Sequence, residues 1–173
     1  MIGHVSKNLY YDLAMSEKIY FDTSDRRILT LLQRDASLSL AEISEAVGLS
    51  ATPCWKRIRR LEAEGVIRAR VALLEPDKIG LGVTAFVSVK AGAHDEAWLA
   101  RFHEGVAQIP EVVELYRMAG DTDYLMKVVC RDIAHYDRIY KRLIRVAPMG
   151  DISSSFAMER MKASTALPLN ETA

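Results

Sequence analysis

The chain has 173 residues, half of them hydrophobic, with 23 basic and 23 acidic side chains and a formal net charge of zero. That length holds one mid-sized domain or two small ones. Neutrality excludes a uniformly basic nucleic-acid coat but allows a local basic patch, and no run approaches the roughly 18 to 20 apolar residues of a membrane span.

Residues 1–21 have little periodicity and read as a flexible N-terminal extension. Asp12 and Glu17 interrupt this stretch, so it has no secretory apolar block. Met15, followed by Ser16-Glu17-Lys18, offers an alternative start, which makes the first 14 residues either a non-native extension or a short arm. Cys54 and Cys130 lie far apart in no zinc or disulfide pattern. A reducing cytoplasm is the expected location.

Structure is predicted to begin at Asp22-Thr23-Ser24, which carry N-cap chemistry. Ile28, Leu29, Leu31 and Leu32 then give a first helix a wide apolar face. Ser39-Leu40-Ala41-Glu42 has the form of a capping box. Ile43, Ala46 and Val47 make the stripe of a second helix, and Gly48 ends it. Ser50 or Thr52 can cap a third helix that tolerates Pro53 in its first turn. Its Cys54, Ile58 and Leu61 face inward, while Lys56, Arg57, Arg59 and Arg60 fall elsewhere. Gly65 closes it, and Val66 to Leu74 reads as extended. Three short helices with a sharp turn before a basic third one make a helix-turn-helix over 22–74.

Residues 75–82, with Pro76, Gly80 and Gly82, read as a hinge. Beyond it the expected order is a strand over 83–89, a helix over 95–108 and strands over 112–119 and 124–130. A helix over 133–146 and a strand over 152–161 follow, with a turn at 148–150. Trp98, Leu99, Phe102 and Val106 are the inward face of the first of these helices; Tyr136, Ile139, Tyr140, Leu143 and Ile144 are that of the second. The predicted fold class is α+β: a winged helix-turn-helix domain followed over 83–165 by a ferredoxin-like βαββαβ domain, with a tail at 166–173. Such a sheet leaves one face free to bury against a partner.

Recognition helices read base edges near their N-terminus, while Lys, Arg and amides hold phosphates. The candidate DNA-contacting set is therefore Ser50, Ala51, Thr52, Trp55, Lys56, Arg57, Arg59 and Arg60. Trp55 lies off the inward stripe, which suggests packing on sugar or a thymine methyl; burial against the first helix or a partner subunit is the alternative. Both cysteines read as small core residues. His4, His94, His103 and His135 have no metal-ligand spacing, and no nucleophile triad, carboxylate pair or phosphate loop stands out. Neither an enzyme, a cofactor nor a metal is expected. In the turn Gly120-Asp121-Thr122-Asp123, two carboxylates beside exposed amides could hold a zwitterion, although Asp and Gly are also ordinary turn formers.

From Asp25 to about Pro168 the sequence resembles the Lrp/AsnC, or feast/famine, regulators. The matching stretches are Asp25-Arg26-Arg27-Ile28-Leu29, LSATPCWKRIRRLEAEGVI from Leu49, ALLEPDKIGLG from Ala72, PEV from Pro110 and MAGDTDYLMKV from Met118. PCWKRI and the ending SSSFAMERMK resemble a subgroup of cysteine-responsive activators of cysteine detoxification. The resemblance implies sheet-mediated dimers that assemble further, often to octamers, on double-stranded operator DNA. It also implies an amino-acid effector, cysteine before leucine or methionine, bound between dimers near the glycine-aspartate turn. Carried over, that site is Met118, Ala119, Gly120, Asp121, Thr122 and Asp123 with Ile133, Tyr136, Ser154, Ser155 and Phe156. An architectural DNA packer, and an amino-acid-binding subunit or enzyme using the helices as scaffold, are the competing functions.

Overall fold

A computed structural model describes residues 19–93 and 95–169. The expectations for the first 14 residues, and for His4 and His94, lie outside these. The chain divides into two compact units: residues up to Val71 together with the segment from Ser164, and Ala72–Ala163.

The first unit contains α1 (Thr23–Arg34), α2 (Leu40–Val47) and α3 (Ala51–Ala63). Asp22 caps α1 by accepting from the Asp25 amide, and the Asp25 carboxylate accepts back from the Asp22 amide. Ser39 and Glu42 repeat this reciprocal arrangement at α2. Gly48 then reverses the chain at φ 71°, a left-handed conformation in which a Cβ is costly. Ile28, Leu29, Ile43, Val47, Cys54, Ile58 and Leu61 form the core. Four expectations shift here. Phe21 packs against this core, so the extension ends before it. Ala46 is exposed and Ser44 is buried in its place, its hydroxyl donating to the Ala41 carbonyl at 2.9 Å. Residues 66–75 form no strand; Val71, Leu73 and Leu74 are exposed. The segment from Ser164 is no free tail: Gln33 brackets the Leu167 backbone through both its amide nitrogen and oxygen, and Leu169 packs on the core.

The second unit begins at Ala72, three residues before the expected hinge, and the turn-rich stretch contains a short 3-10 helix at Pro76–Ile79. Then follow β1 (Val83–Ala91), α4 (Glu96–Ala107), β2 (Val112–Arg117), β3 (Tyr124–Cys130), α5 (Ile133–Val146) and β4 (Met149–Phe156). The strands form an antiparallel sheet in the order β2-β3-β1-β4, the ferredoxin-like arrangement. Ala85, Val87 and Val89 of β1 alternate inward with Tyr124, Met126 and Val128 of β3. Trp98, Phe102 and Val106 of α4 and Tyr136, Ile139 and Leu143 of α5 complete this core. Gly105 permits the close approach of these helices, because a Cβ there would fall 2.4 Å from a Val146 methyl.

Strand β4 starts at Met149 rather than Ile152 and stops at Phe156, so the chain turns at Ala147 and Pro148, and Met158 and Met161 lie exposed. Ile144 points outward, 45% exposed, and β2 ends at Arg117. The other sheet face carries Phe86, Leu125 and Tyr116, partly to substantially exposed.

Candidate nucleic-acid interface and ligand site

Helix α3 buries Cys54, Ile58 and Leu61 along one stripe. At 100° per residue, Thr52 and Lys56 then point directly away from the core. Trp55 and Arg59 take one shoulder, and Arg57 and Arg60 take the other. Ala51, Thr52, Lys56 and Arg59 are exposed, and Trp55 is 52% exposed. Its ring borders an open groove with Leu38, Leu40, Ile43 and Ile58, rimmed by Arg59, Glu62 and Arg70. Ser50 occupies the N-cap position without a side-chain cap bond, which leaves the first amides of the helix open.

The four basic residues of α3 are not equivalent. Arg57 donates to Asp22 at 2.6 Å and to Asp25 at 2.8 Å. Arg60 donates to Asp25 at 2.6 Å. Arg59 pairs with Glu62 within the helix at 2.9 Å. Lys56 makes no ion pair among the described residues. The Asp25 amide, reinforced by Arg57, holds the Asp22 carboxyl below its usual value, and the two carboxylates raise Arg57. Because Asp22 is depressed in the folded chain, its contribution is present at neutral pH and fades as pH falls through that lowered value. To hold phosphates, as expected of basic residues on this helix, Arg57 and Arg60 would first have to give up Asp22 and Asp25. No local pattern along α3 announces those partners, because they lie 32 and 35 residues upstream.

The Gly120 turn closes the β2–β3 hairpin, with the Met118 amide donating to the Asp123 carbonyl at 2.8 Å. Gly120 has φ 125°. Asp123 ties the turn to β1: its amide donates to Val89 at 3.1 Å, and its carboxylate accepts from the Ala91 amide at 2.8 Å. That second bond meets the bulge between Lys90 and Ala91. Asp121 is exposed, and the amides of Gly120, Asp121 and Thr122 make no hydrogen bond among the described residues.

One chain does not bring the expected effector set together. Tyr124, next to the turn, is level with Val89, whereas Phe156 is level with Ala85 and Cys130 with Val83. At about 3.3 Å per residue the turn and Phe156 are separated by at least about 13 Å along the strands, more than a free amino acid spans. Ile133 is exposed, but Tyr136 is buried with its ring edge-on to Phe156 at 4.9 Å, and its hydroxyl is bonded to Ser154. Burial pushes that hydroxyl above its usual value. Tyr136 and Ser154 thus satisfy each other, while Ser155 faces the opposite side of the sheet. Cys54 and Cys130 are buried, and burial raises both thiols. Among the described residues no helix is long and apolar enough to cross a membrane.

Two family models match this chain: a winged helix-turn-helix DNA-binding domain over residues 21–68 and the Lrp/AsnC ligand binding domain over 84–167. The glutamate uptake regulatory protein of Zymomonas mobilis is 52% identical over 151 residues, 87% of this chain and 92% of the relative. The DNA-binding transcriptional activator DecR of Escherichia coli is 51% identical over 149 residues, 86% and 98% of the two chains. A transcriptional regulator of Neisseria meningitidis, solved as its L-methionine complex, superposes with a TM-score of 0.83 at 34% identity, covering 87% of this chain and 98% of that one.

Proposed function

Because the chain belongs to the Lrp/AsnC family of DNA-binding transcriptional regulators with an amino-acid-binding domain, we propose that it reads a specific operator as a homo-oligomer and responds to a small amino acid, cysteine before any other. The observation that carries the first half is the outward stripe of α3. Thr52, Trp55, Lys56 and Arg59 are exposed on one side of a helix whose opposite stripe, Cys54, Ile58 and Leu61, is buried, as a major-groove reader requires. Two-fold pairing is supported by the helix-free sheet face, where Phe86 is exposed and Leu125 half-buried. Pairing places two α3 helices at half-sites about one DNA turn, or a multiple of it, apart.

The cysteine assignment is supported by the PCWKRI and SSSFAMERMK stretches, which resemble the cysteine-responsive subgroup. The relatives named for glutamate uptake and solved with L-methionine make those amino acids the competing effectors. The split of the expected residues within one chain favours a ligand held between copies. One copy would give the Gly120–Asp123 turn and another the surface around Ile133 and Phe156. The deciding experiment titrates upstream duplex DNA and protein with each of the twenty amino acids. A shift with cysteine alone supports the proposal, and a shift with methionine or glutamate alone moves the effector.

Two further results are expected. Trp55→Ala leaves the melting temperature nearly unchanged while duplex affinity drops about tenfold, since packing roughly 55 Å² of ring on sugar or a thymine methyl is worth about 1.4 kcal/mol at about 25 cal/mol per Å²; calorimetry and fluorescence anisotropy read the two. A large fall in melting temperature would instead make the ring part of the core. The fragment 72–163 sediments as a dimer or larger and binds no duplex, and a monomer would remove the sheet-face pairing.

A further inference from the structure

We propose that Asp25 is a positioning residue for DNA reading. By holding Arg57 and Arg60 against α1 it keeps two cations off the phosphate backbone, so that discrimination between sequences rests on the outward stripe of α3. This rests on the chain being a duplex-binding regulator.

The geometry is that of a hub rather than a surface ion pair. Asp25 is 1% exposed, so the removal of its carboxylate from water has to be compensated by the donors and positive charge around it. One oxygen accepts from Arg57 at 2.8 Å; the other accepts from Arg60 at 2.6 Å and from the Asp22 amide at 3.2 Å. The carboxylate therefore closes the α1 cap and receives two guanidiniums one helical turn apart on α3. Because both come from the same shoulder, they fix the roll of α3 about its own axis. Turning the helix by one residue would pull at least one arginine off Asp25. Asp22 braces the outer side of Arg57 at 2.6 Å. The pair between Arg60 and Glu64, at 3.9 Å, is exposed and adds little.

Free guanidiniums on the rim of a recognition helix bind phosphate whatever the sequence, which raises non-specific affinity and lowers the ratio that matters in a genome. Asp25 withdraws them, leaving Lys56 as the cation of α3 with no ion pair among the described residues. The shape of the duplex-facing surface and the sparing use of charge on it are then set by the same buried group.

The test compares full-length wild type, Asp25→Asn, Asp22→Asn and the triple variant Asp25→Asn/Arg57→Gln/Arg60→Gln. Each is measured from low to high salt on a random-sequence duplex and on a duplex enriched by wild type from a randomised pool. Asparagine keeps an acceptor for the α1 cap and loses the charge that holds the arginines. Asp25→Asn is expected to bind random duplex more tightly at low salt, with log affinity falling more steeply with log salt by about 0.9 to 1.8, one or two extra phosphates. Over a fourfold salt range that is about a three- to twelvefold larger change. The ratio of enriched to random affinity falls, and the triple variant returns the slope to the wild-type value. A purely structural role gives the opposite sign: weaker binding to both duplexes with no steeper slope, and that result overturns the proposal. A steeper slope that survives in the triple variant also overturns it. Should Asp25→Asn fail to fold, Asp22→Asn decides, because it keeps the N-cap and loosens Arg57: a steeper slope upholds the proposal and an unchanged one overturns it. If wild type enriches no duplex, the regulator reading itself fails, which is a distinct outcome.

Discussion

Phe102→Ala is expected to unfold the second unit at temperatures where the wild-type chain is intact. The ring is 0% exposed, stacked on Trp98 with centroids 4.8 Å apart and tilted against Tyr124 at 4.8 Å. It therefore joins α4 to the sheet at the centre of the core. Truncating such a ring costs about 3–5 kcal/mol, from lost burial and the cavity left behind, against a total stability of roughly 5–15 kcal/mol. The site has little room to collapse. On one side the Trp98 indole is fixed by its bond to the Pro148 carbonyl, and at Gly105 the α4 backbone already lies against Val146. Near-ultraviolet circular dichroism on heating should show the Trp98 and Tyr124 signals lost many degrees early, with helix signal retained from the first unit. Since pairing of two α3 helices is proposed to depend on the second unit, duplex affinity should fall at the same temperature. A shift of only one or two degrees would show that α4 can settle onto the sheet.

How much of this was legible in the sequence follows the range of the interactions. Periodicity and capping are local, and they fix most elements: the N-cap at Asp22, the Ser39 capping box, Gly48, the Cys54–Ile58–Leu61 stripe and the full extent of α5 all stand where the pattern puts them. The errors come from tertiary context. Ala46 fits the apolar stripe of α2, but the helix rolls to bury Ser44, whose hydroxyl is satisfied by its own backbone. Ile144 lies at the edge of the apolar stripe of α5 and is 45% exposed. Met149 and Gly150 look like turn residues beside Pro148, yet β1 extends far enough to pair with Met149. The candidate sites divide in the same way. Exposure of Trp55 and Lys56 follows from helical spacing alone. The partners of Arg57 and Arg60, and of Asp123, are long-range and appear in no local pattern.

Asp123→Asn is expected to abolish the transcriptional response to cysteine while leaving ligand-free duplex binding intact. A free amino acid is a zwitterion, so its site needs an acceptor for the ammonium group and donors for the carboxylate. The β2–β3 turn offers both. The Asp123 carboxylate is half-buried with one oxygen on the Ala91 amide, and the amides of Gly120, Asp121 and Thr122 have no internal bond among the described residues. The bond to Ala91 holds the carboxylate in place, and Asn can preserve it through its amide oxygen, so the hairpin should keep its shape. What Asn removes is the charge. A hydrogen bond to a charged group is worth about 1.5–3 kcal/mol, or roughly a 10- to 150-fold rise in Kd, enough to empty the site at an effector concentration that half-saturates wild type. By linkage, a ligand alters duplex affinity only through its own difference in affinity between assemblies that present α3 differently. Loss of binding and loss of response must therefore move together. Calorimetry should show cysteine binding to wild type and at least a tenfold weaker signal in the variant, with anisotropy giving equal affinity for the duplex without ligand. Unchanged cysteine affinity in Asp123→Asn would move the site away from this turn. No cysteine binding by wild type would move the ligand instead, with methionine and glutamate next to be tried on the same two proteins.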